Sequence, residues 1–353
     1  MKPRIIIIGF GNVGRGFAKV LNMKYNLLVE KFGVSPRVVA IVDSRGAAIN
    51  PKGLNLEKAL YIKKTKKTVA FYPEYGKLSV TGLEVLDKVD AEILVEATPT
   101  NIVDGEPGVS FMLKAVRTGR HVITANKGPL AVAFYKLLEE SKKHGVQLKF
   151  DATVGGAIPV ISLAKHCLYG NQIVSIRGVL NATTNVILTK MSENSCSLEE
   201  AIKEAREKGI CETDPTYDLN GTDTACKMVI LANALMEKRV TYRDLQKVGG
   251  IEKITVEDLN EARKKGCTIK LVGLADEKRL LVEPMLIPLN DKICVDNTLN
   301  AVELKTDLAK EIVIVGHGAG PIETASKMLN DMIEIFKNKQ IVKRTKRNCS
   351  VFQ

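Results

Sequence analysis

In the first part of the chain, apolar residues come in short unbroken runs separated by glycine turns and amphipathic stretches. IIII at 5–8, VVAIVD at 38–43, AEILVEAT at 91–98 and HVITAN at 121–126 are aliphatic and too short for helices, so they read as strands buried on both faces. Between them lie an amphipathic stretch from Arg15 to about Phe32 and a helical segment near 108–118. Strands alternating with helices predict right-handed crossovers and a parallel sheet. Residues 46–80 are lysine-rich and poorly periodic, and read as an excursion on the surface.

From about residue 150 the pattern changes. LKFDATV, IVSIRGVL, KLVGLA, LLVEPMLIPL, NAVELKT and EIVIVG are strand-like and separated by fewer helices, as expected of a mixed α+β domain. EEAIKEAREKG at 199–209 is an amphipathic helix closed by Gly209, a common helix terminator. GHGAGPIETASKMLNDMIEIF at 316–336 reads as a strand end, a glycine turn and a last helix. It mirrors GFGNVG at 9–14, so the C-terminus is expected to return to the first domain. The fold class expected is α/β: a Rossmann-type doubly wound parallel sheet plus a mixed α+β substrate domain. The nucleotide-binding domain is placed at 1–135, the substrate domain at 136–312, the return helix at 313–340 and a basic tail at 341–353.

The length of 353 residues agrees with two domains. The net charge of +12 raises nucleic-acid binding as a possibility, but basic residues are mixed with acids throughout, apart from KRTKRN at 343–348. Nucleic acid is therefore not expected as a partner. No apolar run approaches a membrane span or a signal core, so no membrane association is expected. The seven cysteines form no C-x-x-C pair, which argues against a zinc site or disulfide framework and for a reducing, cytoplasmic setting. Cys349, in the basic tail, has a lowered-pKa thiol as one reading and an inert terminal thiol as the other.

Candidate chemistry enters at four places. GFGNVG satisfies G-x-G-x-x-G between a strand and a helix, so Gly9, Gly11 and Gly14 permit the tight turn and let backbone N–H groups approach the pyrophosphate of a dinucleotide. Asp43 ends the second strand, where an acid binds the ribose 2′-hydroxyl of NAD; Arg45 instead suits the 2′-phosphate of NADP. Lys127 follows a strand whose carboxyl end faces the ligand crevice, which points it at cofactor and substrate; a solvated side chain is the other reading. In DATVGGAIPVI the glycines Gly155 and Gly156 allow close backbone approach, suiting a substrate, carbonyl oxygens around a monovalent cation, or merely a turn into a helix from Pro159. NATTN at 181–185 is a polar block between apolar flanks whose hydroxyls and amides need partners. Finally, Glu212, Asp214, Asp218 and Asp223 crowd a loop that leads into a buried helix, and Asp223 shares a helix face with Lys227. That pair is either a surface ion pair or an acid/base couple with a partly desolvated lysine.

GFGNVG, AIVDS (40–44), ANKGPLA (125–131), ATVGGAIPVI (152–161), GVLNATTNVIL (178–188), EKGICETDPTYDLNGTDTACK (207–227) and GHGAGPIETA (316–325) together resemble homoserine dehydrogenase, in order and over nearly the whole chain. The resemblance implies NAD(P)-dependent interconversion of L-homoserine and L-aspartate 4-semialdehyde by a homodimer. By position it implies an acid/base role for Lys227, with Asp223 orienting it, and a second lysine at Lys127 near the nicotinamide. It implies substrate contacts at Glu212, Asp218, Gly156, Thr183 and Lys227. Cofactor contacts fall at Gly11, Asn12, Val13, Gly14, Thr98, Lys127 and Gly320. A sodium ion is implied on main-chain oxygens of Asp151, Val154, Gly156 and Ile158. Asp151 stands where the family has Glu, and Ile210 and Cys211 replace Tyr and a small residue. Neither a fused kinase nor a C-terminal regulatory module is expected. Two other readings stay open at this point: another Rossmann amino-acid dehydrogenase, such as one acting on aspartate, and a non-catalytic dinucleotide sensor.

Overall fold

A computed structural model describes residues 1–211 and 214–349, the side chains as far as Lys337. The first sheet has seven strands: β1 (Arg4–Ile8), β2 (Arg37–Asp43), β3 (Gly46–Ile49), β4 (Gly76–Leu78), β5 (Ile93–Glu96), β6 (His121–Thr124) and β7 (Leu148–Lys149). Their spatial order is β4-β3-β2-β1-β5-β6-β7. β1 pairs in parallel with both β2 and β5, and β5, β6 and β7 continue the parallel ladder. The strand order reverses at β1 and β5, which opens a crevice at their carboxyl ends. Ile5, Ile6 and Ile7 are fully buried, the result of helices packing on both faces of a parallel sheet.

Residues 46–80 are not a bare excursion. They supply β3 and β4, antiparallel on the sheet edge, with the helix Leu56–Lys66 between them. That helix buries only Ala59 and Ile62, so its sequence carries almost no apolar periodicity. The amphipathic stretch after Arg15 is two helices, Asn12–Met23 and Tyr25–Phe32, separated at Lys24. LKFDATV forms a strand only at Leu148–Lys149, which joins the first sheet beside β6. The first sheet thus runs past the division expected at residue 135.

The second sheet contains β8 (Ile173–Val179), β9 (Lys247–Val248), β10 (Cys267–Ala275), β11 (Leu280–Pro288), β12 (Leu299–Thr306) and β13 (Glu311–His317), in the order β13-β12-β8-β10-β11-β9. Its pairings are antiparallel except β11 with β9. The helix Thr222–Met236 packs on it so closely that a Cβ at Gly273 would lie 2.4 Å from Met228 Cγ. The last helix, Pro321–Cys349, returns to the first sheet. Ala325, Met328, Met332 and Ile335 are fully buried there with Phe17 and Leu21, each large side chain contributing about 1.5–3 kcal/mol by burial. Gly16 makes this contact possible, since a Cβ there would sit 2.4 Å from the Pro321 carbonyl oxygen. Among the described residues no helix is long and apolar enough to cross a membrane, and the cysteines from Cys167 to Cys294 form no disulfide. The side chain of Cys349 lies outside the described residues.

Candidate active site

The turn after β1 is built for close backbone approach. Gly9 has φ +94°, and a Cβ on it would meet Ala97 C at 2.3 Å; a Cβ on Gly14 would meet the Gly9 oxygen at 2.0 Å. At Gly11, by contrast, a Cβ would find nothing within 4 Å. The turn therefore holds its shape through Gly9 and Gly14 and leaves open space over Gly11, at the amino end of the helix Asn12–Met23. Those are the residues and the space that a dinucleotide pyrophosphate needs. Arg15, which no motif marks out, hydrogen bonds back to the Gly11 oxygen at 3.1 Å and to Asn12 Oδ1 at 2.7 Å, adding positive charge beside that end. Gly320, with φ +135°, begins the returning helix on the same side.

Asp43 is placed at the end of β2, but its carboxylate is fully engaged within the protein. Oδ1 accepts from Arg45 N at 3.0 Å and Thr68 Oγ1 at 2.8 Å; Oδ2 accepts from Lys63 Nζ at 2.7 Å and Val69 N at 3.0 Å. Burial works against its charge, yet Lys63 and the backbone donors outweigh it and hold the carboxyl below its ordinary range. The Arg45 side chain is exposed beside it.

Thr98 follows β5 and donates to Glu96 through its backbone N–H at 2.8 Å and its hydroxyl. Glu96 is fully buried, and it also accepts from Thr124 Oγ1 at 2.8 Å and Asn126 Nδ2 at 3.3 Å. Burial raises its pKa against those donors. Asn126 in turn caps the helix Lys127–Lys143 by accepting from Gly128 N at 3.1 Å. Lys127 is thus the first residue of a helix whose start is bolted to the ends of β5 and β6.

From there the Lys127 ammonium reaches across to the second domain. It lies 3.2 Å from Asp223 Oδ1, while Lys227 Nζ lies 2.6 Å from Asp223 Oδ2. One carboxylate therefore sits between two lysines, on side chains only 9–23% exposed. Burial opposes the charge of Asp223, but Lys227 and Lys127 outweigh it and hold the carboxyl well below the usual range. Burial likewise opposes the charge of Lys127, and Asp223 reverses the balance, raising its pKa. Lys227 also donates to the Leu180 carbonyl at 2.6 Å. Burial pushes the neighbouring Cys226 thiol up to about 12, which removes it as a nucleophile.

Asn181, inside the polar block NATTN, joins these groups. Its Oδ1 accepts from Thr184 N at 2.8 Å as the cap of the helix Ala182–Asn194. That fixes Nδ2, which donates to Asp218 Oδ1 at 2.6 Å and Asp223 Oδ2 at 2.9 Å. The Thr183 hydroxyl faces Asp218 from the same turn and favours its ionised form. Asp218 has its pKa raised, by burial first and by Asp223 second. Sequence reading did not single out Asn181, although an asparagine directly before a helix start is a recognisable cap. Asp218, Asp223, Thr183, Lys127 and Lys227 therefore converge. Asp43 and Arg45 lie apart, at the carboxyl end of β2, and Glu212 lies outside the described residues.

The residues expected to hold sodium do not fit it. The carbonyl oxygens of Val154 and Ile158 do converge, but both accept hydrogen bonds from Lys327 Nζ, at 2.6 and 2.7 Å. A sodium ion on the same oxygens would lie about 4 Å or less from that ammonium, a repulsion of about 4 kcal/mol at an effective dielectric constant of about 20. Asp151 is turned toward the helix Val160–Cys167, where Oδ1 accepts from Ile161 N at 3.2 Å and Ser162 N at 3.3 Å. Gly156, with φ +55°, is needed for contact with the turn after β13, since a Cβ would lie 2.4 Å from Gly318 C.

Two family models match the chain: one described as homoserine dehydrogenase, NAD binding domain, over residues 9–151, and one described as homoserine dehydrogenase over 159–333. A homoserine dehydrogenase from Methanocaldococcus jannaschii is 50% identical, the match covering 95% of this chain and 98% of that one. An NAD(+)-dependent homoserine dehydrogenase from Pseudomonas canavaninivorans is 32% identical over 95% and 96% of the two chains. The crystal structure of a hyperthermophilic archaeal homoserine dehydrogenase in complex with NADPH superimposes with a TM-score of 0.82 at 27% identity, covering 96% of this chain and 98% of the other.

Proposed function

The chain belongs to the homoserine dehydrogenase family, and from that premise we propose how its residues carry the reaction. It is an NAD(P)-dependent oxidoreductase that interconverts L-homoserine and L-aspartate 4-semialdehyde, a step of threonine, methionine and isoleucine biosynthesis. The bound nicotinamide supplies or accepts the hydride.

The observation that carries the residue assignment is the pairing of Lys127 and Lys227 on the two oxygens of Asp223. An ammonium has three N–H donors. Two of those on Lys227 are taken, by Asp223 and the Leu180 carbonyl, and the third is left for the aldehyde oxygen. As hydride reaches the carbonyl carbon, Lys227 gives that oxygen a proton; in the reverse direction the neutral amine takes it back from the homoserine hydroxyl. Lys127, held charged by Asp223, neutralises the developing oxyanion. Asp218, together with Glu212, receives the substrate ammonium. Its raised pKa reflects a buried carboxylate with too little positive charge around it, which the incoming ammonium supplies.

The cofactor we assign is NADP(H) in preference to NAD(H). The four donors on Asp43 leave its carboxylate no free direction for a ribose hydroxyl, while Arg45 and Lys63 place positive charge where a 2′-phosphate would lie. We further propose a homodimer formed through the second sheet, whose strands expose Leu286 and Val315, and residence in the cytoplasm.

Stoichiometric formation of L-homoserine from L-aspartate 4-semialdehyde as NADPH is oxidised tests this reading. Ammonia release from L-aspartate would favour an aspartate dehydrogenase, and dinucleotide binding with no turnover would favour a sensor.

A further inference from the structure

We infer that Lys327 is a built-in monovalent cation, its ammonium performing the structural work of a bound alkali ion beneath the active site, so that the enzyme needs no added sodium or potassium. The inference rests on the active-site reading above. Lys327 is one of the most deeply buried charged side chains of the molecule, at 2% exposure. It lies on the buried face of the last helix, between Ala325 and Met328 and about one turn before the buried Asp331, where a charged side chain is rarely found without a partner.

What it meets there is a cation-binding arrangement. The loop 151–158 curls so that the Val154 and Ile158 carbonyls point at one spot, with the Asp151 carboxylate 3.7 Å away, and Lys327 Nζ fills that spot. Converging carbonyls and a carboxylate are the ligands that hard monovalent cations take. An ammonium tethered in place satisfies the same oxygens without waiting for an ion from solution. Burial lowers the lysine pKa and Asp151 opposes that shift. Asp331, one helical turn on, is buried with Oδ2 unpaired and its carboxyl raised to about 8, by burial first and Asp151 second.

The placement connects two parts of the active site. Gly156 of the loop presses on Gly318, in the turn that carries Gly320, and Ala157 N donates to the His317 carbonyl at 2.9 Å. Lys327 is therefore a positioning residue: it fixes the loop to the helix that follows the cofactor-side turn, without touching the reacting atoms.

The test compares wild type and Lys327→Met in chloride salts of sodium, potassium and choline at equal ionic strength, reading NADPH oxidation, NADPH affinity and the thermal midpoint. Wild type is expected to show the same rate and midpoint in all three salts. The variant is expected to lose about 10²-fold in turnover in choline, as for a misplaced active-site support, and to recover part of its rate and midpoint when sodium, potassium or methylammonium is added. A wild-type rate or midpoint that falls in choline and returns with sodium overturns the inference. So does a variant that matches wild type in choline. If the variant does not fold, the wild-type salt series decides alone. Absence of turnover in every salt would remove the active-site reading, and the midpoint series would still decide this one.

Discussion

Lys127 and Asp223 meet at 3.2 Å, joining the first residue of a helix that leaves the first sheet to the first turn of a helix that packs on the second. Cofactor side and substrate side are thus joined by this ion pair. Asp223 has Lys227 on its other oxygen, so neither lysine is positioned independently of this carboxylate.

The most direct consequence concerns Asp223→Asn. The amide is close in shape but cannot hold two ammonium groups, so the proton donor and the oxyanion partner both lose their anchor. Turnover should fall by about 10²–10⁴-fold, the range for removal of a positioned acid/base function, with a smaller change in NADPH affinity. Stopped-flow binding alongside steady-state rates separates the two.

Asp218 carries the opposite electrostatic sign. Its folded-state pKa is raised above the unfolded value of about 3.9, so its ionisation destabilises the fold. The penalty is absent below the unfolded value and grows as pH rises through the folded one. Asp218→Asn should therefore gain thermal stability relative to wild type between pH 4 and pH 7, pH values about the unfolded pKa and above it, while its KM for the amino-acid substrate rises. A difference in midpoint that is flat with pH would contradict the assignment.

Much of this arrangement is legible in the sequence, and the exceptions have physical causes. The buried strands and GFGNVG are visible because continuous aliphatic runs and glycine spacing are local signals. Asp223 and Lys227 are visible for the same reason, being one helical turn apart. The engagement of Asp43 by Lys63, Thr68 and Val69 is not, because it depends on how the chain between β3 and β4 folds back over β2. Lys327 gives no signal at all: its carbonyl partners are contributed by a distant loop, and main-chain oxygens have no residue type. The strand expected across 148–154 stops at Lys149, where the chain turns into the loop that Lys327 holds.

The glycine turn offers a contrast within three residues. Gly9→Ala places a methyl group 2.3 Å from the Ala97 backbone at a positive φ, so the variant should lose stability, by about 1–3 kcal/mol or more. Gly11→Ala meets no atom within 4 Å and should fold within about 0.5 kcal/mol of wild type, yet bind dinucleotide at least about tenfold more weakly, since the methyl occupies the space for the pyrophosphate. Thermal melts and fluorescence titration with NADPH check both.

Arg45→Ala addresses cofactor choice. The side chain is exposed, so folding should be unaffected, whereas the KM for NADPH should rise about 10–100-fold, as for loss of a charge-assisted contact of about 1.5–3 kcal/mol. The KM for NADH should barely move. Equal effects on the two cofactors would show that Arg45 does not read the 2′-phosphate.

The measurement that bears most directly on the account is the initial rate of NADPH oxidation with L-aspartate 4-semialdehyde for wild type and Lys227→Ala, with NADPH affinity measured on both. Turnover in wild type, with a loss of about 10²–10⁴-fold in the variant at unchanged NADPH affinity, is the expected result. A variant that keeps the wild-type rate would contradict the role given to Lys227.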